Sequence, residues 1–506
     1  MPNSPRFFPL KPRGHLAICP RPIKPFSLFS LGRLAGLTAA ACLALLSPAP
    51  VFAGSESPAS IEEARGSALA DWWNGKYLTG NWFGVRDTLE DHGLKLGGKY
   101  YGAYFGVVQS QRGQRGYWDQ GVEFNGELNF GKLFKADALK GVKGFGSVRW
   151  RDPRLAADPN QFVQANNMFN PSNWISGVQW RVLSFGLEIG TEDLLPVKDM
   201  VIFRGGWLQP QKEFIDQPLS KLFLNNAVNS AKGVGGNIPF SSSFSTWGGT
   251  LQVKPIDWCY VKGGLFMAYP SATTGSNHGL AFQGFGQDIS LNGLMAMGET
   301  GITPKIGASA LPGKYAAGAY YWGNQKNSFN GTSQYGQYGF YFQADQMLFR
   351  EPSAGEAAPM GKGSSDGKSV TSGKSFQAPV SPEKPKLNDQ GLSMFNLVSF
   401  APKYNNLFPF YFQTGLVYKG LIPTRDDDLT LFSLAYGSYS YYNIENLQQN
   451  GNVNQPNYTI FMEWGYRIQL NKWAFFQPFL QYAIQPAGTG AVENATILGF
   501  YTGVNF

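Results

Sequence analysis

The clearest pattern along this chain is an alternation of apolar and polar side chains over short segments. It is sharpest at residues 122–130, where Val122, Phe124, Leu128 and Phe130 alternate with Glu123, Asn125, Glu127 and Asn129. A period of two predicts a β-strand, because successive side chains of a strand point to opposite faces. A charged row opposite an apolar row favours a strand between water and lipid, since the inward row of a soluble sandwich is apolar. A one-sided surface sheet of a soluble protein is the alternative.

The last segment, residues 495–506, repeats this alternation and ends on Phe506. The termini of most soluble domains fray. A strand that ends flush on an aromatic residue favours pairing with the first strand, which would close a barrel and leave no open edge in lipid. For this segment taken alone, the terminal strand of a soluble sandwich is the alternative.

Similar segments recur along the whole chain, and the weakest of them is 299–309. The predicted strands are 94–108, 122–130, 143–151, 174–189, 200–211, 245–254, 257–269, 299–309, 314–323, 335–348, 391–401, 409–419, 429–440, 457–470, 474–485 and 495–506. An even number is expected for a bacterial barrel with both chain ends on one side of the membrane. The predicted fold class is therefore all-β, a transmembrane antiparallel up-and-down β-barrel of about 16 strands.

The composition supports a membrane barrel. Charged residues make up 15% of the 506 residues and aromatic residues another 15%, whereas a soluble domain has roughly 25% charged residues. Beyond residue 53, no stretch approaches the ~20 consecutive apolar residues that a membrane-spanning helix needs.

The first 53 residues have the features of an export signal. They contain six basic and no acidic residues, an apolar core over 34–46, and Val51-Phe52-Ala53 before Gly54. We predict a signal peptide at 1–53 and location in the outer membrane of a Gram-negative-type cell; a lipoprotein signal at Cys42 is the alternative. Without this segment the charge is nearly balanced and Cys259 is the one remaining cysteine, so no nucleic-acid partner and no disulfide are predicted.

Three predicted regions lie outside the strands: one precedes the first strand and two lie between later strands. Residues 54–93 are predicted to form a periplasmic segment with short helices at 61–73 and 84–92, before a barrel that spans 94–506. The connection 212–244 is the candidate constriction loop, folded inward, with a short helix or plug at Lys221–Asn226; an outward-folded loop is the alternative. Residues 351–390, rich in Gly, Ser, Pro and Lys, are predicted to be a disordered low-complexity insertion, placed by strand parity on the periplasmic side.

Strand parity also places charged side chains on the inner face of the predicted strands 2 to 5. These candidate lumen and constriction residues are Glu123, Glu127, Arg149, Arg151, Arg181 and Arg204. Arginines opposite carboxylates create a transverse field that orients water and hydroxyl groups, and an arginine fork can donate to two adjacent hydroxyl groups of a solute. The alternative is that these charges brace one another along the wall. Trp180 and Trp207 face outward by parity and are predicted to lie in the interfacial aromatic belt.

Nothing in the residue pattern points to an enzyme. After the predicted signal, His92 and His278 are the remaining histidines, and neither lies in a metal or nucleophile motif. We therefore predict no catalytic residue, no metal and no cofactor, with a Ser–His hydrolase in the outer membrane as the remote alternative.

Several motifs resemble the carbohydrate-selective porins of the OprB family. They are Leu78–Arg86 with Leu89–Gly93, Gly415–Asp428, Asp345–Glu351 and Phe476–Ile484 with Pro486 and Gly488; Gly415–Asp428 is the most specific. The resemblance spans nearly the whole chain after the signal, and 351–390 is longer than the family's usual turn there. It implies a 16-stranded outer-membrane barrel for passive diffusion of small neutral sugars such as glucose.

Two alternative functions stay open. One is a general or ion-selective diffusion porin of the same fold. The other is a structural barrel that tethers the envelope, through 351–390, to peptidoglycan or a periplasmic partner. In each case outer-membrane lipid surrounds the barrel.

Overall fold

The computed structural model describes the barrel and most of its connections. The described residues are 69–152, 158–163, 169–173, 180–239, 244–268, 280, 293–323, 326–329, 331–352, 389–443, 457–488, 490 and 492–506. The chain divides into two units, Met1–Ser67 and Ala68–Phe506. The predicted signal peptide, most of the predicted helix 61–73, and residues 353–388 of the predicted insertion lie outside the described residues.

Sixteen antiparallel strands form one closed sheet. They are β1 (Leu94–Gln109), β2 (Arg115–Asn129), β3 (Val142–Arg151), β4 (Trp180–Gly190), β5 (Val201–Leu208), β6 (Thr246–Ile256), β7 (Cys259–Met267), β8 (Leu294–Ile302), β9 (Leu311–Trp322), β10 (Gln337–Arg350), β11 (Gly391–Phe400), β12 (Phe410–Lys419), β13 (Leu429–Ser438), β14 (Tyr458–Gln469), β15 (Ala474–Ile484) and β16 (Ala495–Asn505). Each strand pairs with the next, and β1 also pairs with β16. The predicted barrel is confirmed.

The alternation in the sequence becomes an inside and an outside of this wall. On β14, Glu463 points inward and is fully buried, while the next residue, Trp464, is 38% exposed on the outer surface. On β10, Phe340 and Phe342 are about half exposed outside, and Tyr341 between them is buried. An apolar outer surface around a polar interior is what a barrel in lipid requires.

The connections differ in length at the two ends of the barrel. Residues 257–258 join β6 to β7 and residues 470–473 join β14 to β15, at the end where β1 begins and β16 stops. The connections 152–179, 209–245 and 268–293 begin and end at the opposite end of the barrel. Bacterial barrels have short turns on the periplasmic side and long loops outside. Strand β10 ends and β11 begins at the short-turn end, where Glu351 N donates to Gln390 O (3.1 Å).

The helices are short and lie in the connections. They are α1 (Val85–Asp91), α2 (Phe130–Phe134), α3 (Asp158–Phe162), α4 (Pro210–Phe214), α5 (Asn226–Asn229) and α6 (Lys232–Gly235), with 3-10 turns at Trp82–Gly84, Asp137–Leu139, Pro218–Leu222 and Pro486–Gly488. A further helical turn covers 69–73. The prediction of a helix at 84–92 matches α1. No helix in the described part of the chain is both long and apolar enough to cross a membrane.

Three details of the sequence prediction were wrong. The weakest predicted strand, 299–309, is placed too late, because β8 runs from Leu294 to Ile302 and a turn follows. The second strand begins at Arg115, well before residue 122. Trp180 is 44% exposed, but Trp207 is fully buried with its ring 5.5 Å from that of Trp247. Trp207 therefore does not belong to an exposed aromatic belt, because parity on a strand does not report what covers the side chain.

The N-terminal segment is fastened to the short-turn end by Arg86. Its guanidinium lies 3.8 Å from the ring centroid of Tyr77 and 4.3 Å from that of Trp82, and Nη1 donates to Leu96 O of β1 (3.2 Å). Contact with aromatic rings offsets part of the cost of burying a guanidinium. The motif around Trp82 and Arg86 therefore fixes where the first strand begins.

Candidate constriction of the lumen

The connection from β5 to β6 folds into the barrel and follows the inner wall. Along it lie α4, the turn Pro218–Leu222, α5 and α6. Its hydrogen bonds reach side chains of several strands in turn: Lys262 donates to Glu213 O, Lys314 to Asp216 O, Gln343 to Phe214 O, and Tyr411 to Ala227 O. This connection thus covers the wall from β7 to β12. We call it the inner loop, residues 209–239. The predicted helix at Lys221–Asn226 is absent; Phe223–Asn225 is extended between two helical turns.

Glu463 of β14 is the strongest anchor of the inner loop. Its carboxylate accepts hydrogen bonds from Leu224 N (3.0 Å), Asn225 N (2.9 Å) and Asn225 Nδ2 (2.8 Å). Gln481 of β15 donates to the same carboxylate (3.0 Å). Donation to a buried carboxylate stabilises its charge where no cation is at hand.

A second connection, between β3 and β4, also enters the lumen. Asn170 and Asn226 exchange backbone and side-chain hydrogen bonds, and Asn173 Nδ2 donates to Asn229 Oδ1 (2.6 Å). Ser172 Oγ donates to Asp119 of β2 (2.9 Å). Residues 169–173 therefore join the inner loop to the wall at β2.

Between these connections and the wall formed by β16, β1, β2 and β3 lies a polar cavity of about 490 Å³. The connections contribute Asn173, Lys221 and Asn229 to its lining. The wall contributes Lys99, Tyr101, Glu123, Asn125, Arg149, Arg151 and Tyr501, among others. We call this cavity the eyelet. Three of the six predicted site residues, Glu123, Arg149 and Arg151, line it.

Register explains why these three residues meet. Arg149 on β3 is the neighbour of Glu123 on β2 and of Arg181 on β4. Arg149, Arg151 and Arg181 are 7%, 3% and 4% exposed, and Arg151 Nε donates to Tyr101 Oη (3.3 Å). Arg149 Nη2 and Arg151 Nη1 are buried without a partner in the described part of the chain. Buried donors are costly when unpaired, so the site favours water or an oxygen-rich solute beside them.

The other predicted residues lie elsewhere. Arg204 belongs to a row of alternating charges on the wall from β3 to β7: Lys143–Glu188 (3.7 Å), Glu188–Arg204 (3.4 Å), Arg204–Glu213 (3.6 Å) and Glu213–Lys262 (3.5 Å). These charges brace α4 against the wall, which is the alternative that the sequence left open. Glu127 is exposed, opposite Lys95 in register, and does not line the eyelet.

Two lysines of the inner loop have lowered basicity. Lys221 reaches lumenal water and donates to Asn229 O (2.6 Å), but the barrel encloses it, and burial lowers its pKa to about 8. Burial likewise lowers the pKa of Lys232 to about 8. Both groups stay mostly charged at neutral pH and lose that charge as the pH rises through 8.

The sequence analysis missed most of what builds the eyelet from the loop side. Glu463, Asn173, Lys221 and Asn229 were not named as site residues. A signal for two of them was present: both inward connections carry closely spaced asparagines, at 170 and 173 and at 225, 226 and 229. Asparagines can satisfy one another and exposed backbone groups where a connection is buried. Among the described residues, no three His, Cys, Asp or Glu side chains come together as a metal site.

Comparison with known proteins decides the family. The family model described as "Carbohydrate-selective porin, OprB family" matches residues 77–506. The chain belongs to the OprB family. Porin B of Pseudomonas aeruginosa is 24% identical over 453 residues, which cover 84% of this chain and 90% of that protein. The high-pH structure of Pseudomonas putida OprB superposes with a TM-score of 0.68 at 20% identity, covering 86% of this chain and 99% of the other.

Membership of the OprB family makes this chain an outer-membrane sugar porin. Its barrel is that of a non-enzymatic channel. The family motif Gly415–Asp428 proves structural in this chain: Arg425 binds Asp428 through two hydrogen bonds of 2.8 Å, and Tyr466 Oη and Gln469 N also donate to Asp428. This motif fastens the turn between β12 and β13 to β14, and neither Arg425 nor Asp428 lines the eyelet.

Proposed function

We propose that neutral monosaccharides such as glucose cross the outer membrane passively through this barrel and are selected at the eyelet. The observation that carries the proposal is the composition of the eyelet lining. This one cavity is surrounded by arginine and lysine donors, by carboxylate and amide acceptors, and by the rings of Tyr101 and Tyr501. A sugar needs donors and acceptors to replace its hydration shell and an aromatic surface for its ring, each weak enough to release it.

Within this proposal each inner-face group has a role. Arg149 and Arg151 donate to adjacent hydroxyls, and Glu123, Asn125 and Asn229 accept or donate from other sides. The inner loop sets the width, because Glu463 holds it on the far wall. Export by the predicted signal peptide at 1–53 is part of the same proposal.

The general-porin alternative is tested by solute uptake into proteoliposomes that contain the purified protein. We expect glucose to enter several-fold faster than glutamine, a neutral amino acid of similar size, and a disaccharide to enter more slowly still. Arg149→Ala should remove most of the difference between glucose and glutamine, while Arg149→Lys, which keeps the charge but loses the fork, should remove part of it. Equal uptake of glucose and glutamine by the unaltered protein would assign a general pore.

A further inference from the structure

A second polar cavity of about 470 Å³ lies between α4 of the inner loop and the wall formed by β4 to β9. Four of its lining residues lie close to the short-turn end of the barrel. They are Lys254 of β6, Tyr260 of β7, Thr303 after β8 and Lys314 of β9. This cavity therefore belongs to the periplasmic half of the lumen. We call it the lower chamber.

The lower chamber carries an excess of positive charge. Five basic and three acidic side chains line it: Arg204, Lys212, Lys254, Lys262 and Lys314, against Glu213, Asp216 and Glu299. The chain without its first 53 residues is almost neutral. The excess is thus not a property of the whole chain.

The acidic side chains of the lower chamber are largely occupied. Glu213 is shared by Arg204 (3.6 Å) and Lys262 (3.5 Å). Glu299, 5% exposed, accepts from Tyr260 Oη (2.7 Å), Tyr341 Oη (2.9 Å) and Gln343 Nε2 (2.7 Å). Asp216 alone stays exposed to solvent among the three.

The remaining cations form no close ion pair in the described part of the chain, although Lys314 lies opposite Asp345 of β10 in strand register. Within the described part of the chain, Lys212, Lys254 and Lys314 have no acidic side chain within 4 Å, and Lys314 Nζ donates to the backbone oxygen of Asp216 (3.3 Å). Arg204 Nε is buried without a hydrogen-bond partner. Ammonium groups that face one cavity without forming ion pairs raise the local concentration of anions.

We propose that the lower chamber is a binding station for acidic monosaccharides, sugars that carry one carboxylate. Lys254 and Lys314 would hold the carboxylate, and the hydroxyls would meet Ser184, Gln209, Gln252 and Thr303, which line the same cavity. The eyelet does not oppose this route, since Lys99, Arg149, Arg151 and Lys221 outnumber Glu123 in its lining. This inference rests on the proposed function and extends its substrate class from neutral to acidic sugars.

The test is uptake of labelled glucuronate and labelled glucose, which differ by one carboxylate, into proteoliposomes at low salt. For the unaltered protein we expect glucuronate to enter at least as fast as glucose. The double variant Lys254→Gln with Lys314→Gln should slow glucuronate uptake about fivefold relative to glucose uptake, since two unit charges a few ångströms away are lost. Lys254→Arg with Lys314→Arg should restore glucuronate uptake, and Lys305→Gln, which is exposed in the connection between β8 and β9, is the charge-matched control.

Each outcome has one meaning. If the unaltered protein passes glucose and excludes glucuronate, or if the double Gln variant passes both sugars unchanged, the acidic-sugar station is wrong while the sugar pore stands. If the unaltered protein passes neither sugar, the proposed function itself fails. If the double Gln variant does not fold, the test is the ratio of glucuronate uptake to glucose uptake by the unaltered protein. This ratio should fall several-fold at 0.5 M salt, where charges are screened within about 4–5 Å. A ratio that does not change with salt overturns the inference.

Discussion

Glu463 shows how a single side chain can hold a connection inside the barrel. The three donors that it accepts from the inner loop belong to residues Leu224 and Asn225, more than two hundred positions earlier in the chain. In the described part of the chain, every hydrogen bond to this carboxylate comes from a neutral donor. Loss of either the carboxylate or these donors would therefore leave buried polar groups without hydrogen bonds.

Replacement of Glu463 by leucine should release the inner loop from the wall. Each buried donor left unpaired costs roughly 1–3 kcal/mol, so the loop should leave its position rather than keep three such donors. We expect a larger and noisier single-channel conductance in planar bilayers, with weaker discrimination between glucose and glutamine. Glu463→Gln should give an intermediate effect, because one oxygen remains as an acceptor.

The matched control for this variant is Glu493→Leu, since Glu493 is exposed in the connection between β15 and β16. Its conductance should equal that of the unaltered protein. An unchanged conductance in Glu463→Leu as well would show that other contacts suffice to hold the inner loop.

Among the elements, the inner loop depends on close packing of short helices against the wall. A methyl group on Gly233 in α6 would lie 2.1 Å from the ring of Tyr411 on β12, well inside van der Waals contact. Tyr411 is fully buried and donates to Ala227 O of α5. Beyond α6, Asn237 exchanges hydrogen bonds with Phe408 in the connection between β11 and β12. The second half of the inner loop is thus fixed to β12 and its neighbouring connection.

Gly233→Val should push α6 away from β12. Neither backbone nor ring can yield enough space, and overpacking of a close-packed site costs roughly 1–3 kcal/mol. We expect the inner loop to move toward the eyelet, so that conductance and glucose uptake fall while the barrel still folds. Gly263→Val is the control, because nothing lies within 4 Å of a methyl group at Gly263; if both variants behave alike, α6 does not set the width of the lumen.

For the whole molecule, the decisive contact is the pairing of the first strand with the last. Register runs from Lys99 opposite Asn505 to Gln109 opposite Thr496. Gly98 and Phe506 then exchange two backbone hydrogen bonds, of 2.9 and 2.8 Å. In lipid no water can satisfy an open edge, so the wall is stable when every strand has two neighbours.

Truncation after Gln485, which removes β16, should abolish the folded barrel. Edges of β1 and β15 would then face lipid, and each unpaired backbone group there costs several kcal/mol. We expect the loss of the fast-migrating band that folded barrels show in unheated detergent gels. Phe506→Leu retains all of β16 and should keep that band; a truncated chain that also keeps it would mean that the barrel closes without its last strand.

The sequence by itself determined the barrel, and it did so because each strand lies between two solvents. Lipid outside and water inside impose a period of two at every strand, and this signal is local enough to be read from a few residues at a time. The alternation pattern placed β8 a few residues too late but still identified it as one of the strands. The same parity brought Glu123, Arg149 and Arg151 to one side of the wall, where register between neighbouring strands makes them meet.

Only the tertiary structure decided which connections enter the lumen and which charges are already paired. Arg204 has the same parity as Arg149, yet α4 brings Glu213 to it and makes it a brace. The burial of Trp207 and the inward course of residues 169–173 likewise follow from contacts between distant segments. The physical reason is that such contacts depend on where each connection folds. Hydrogen bonds between distant residues determine that position, such as the one that Leu224 N donates to Glu463 across 239 positions of the chain. Contacts of this kind leave no periodic pattern in the sequence.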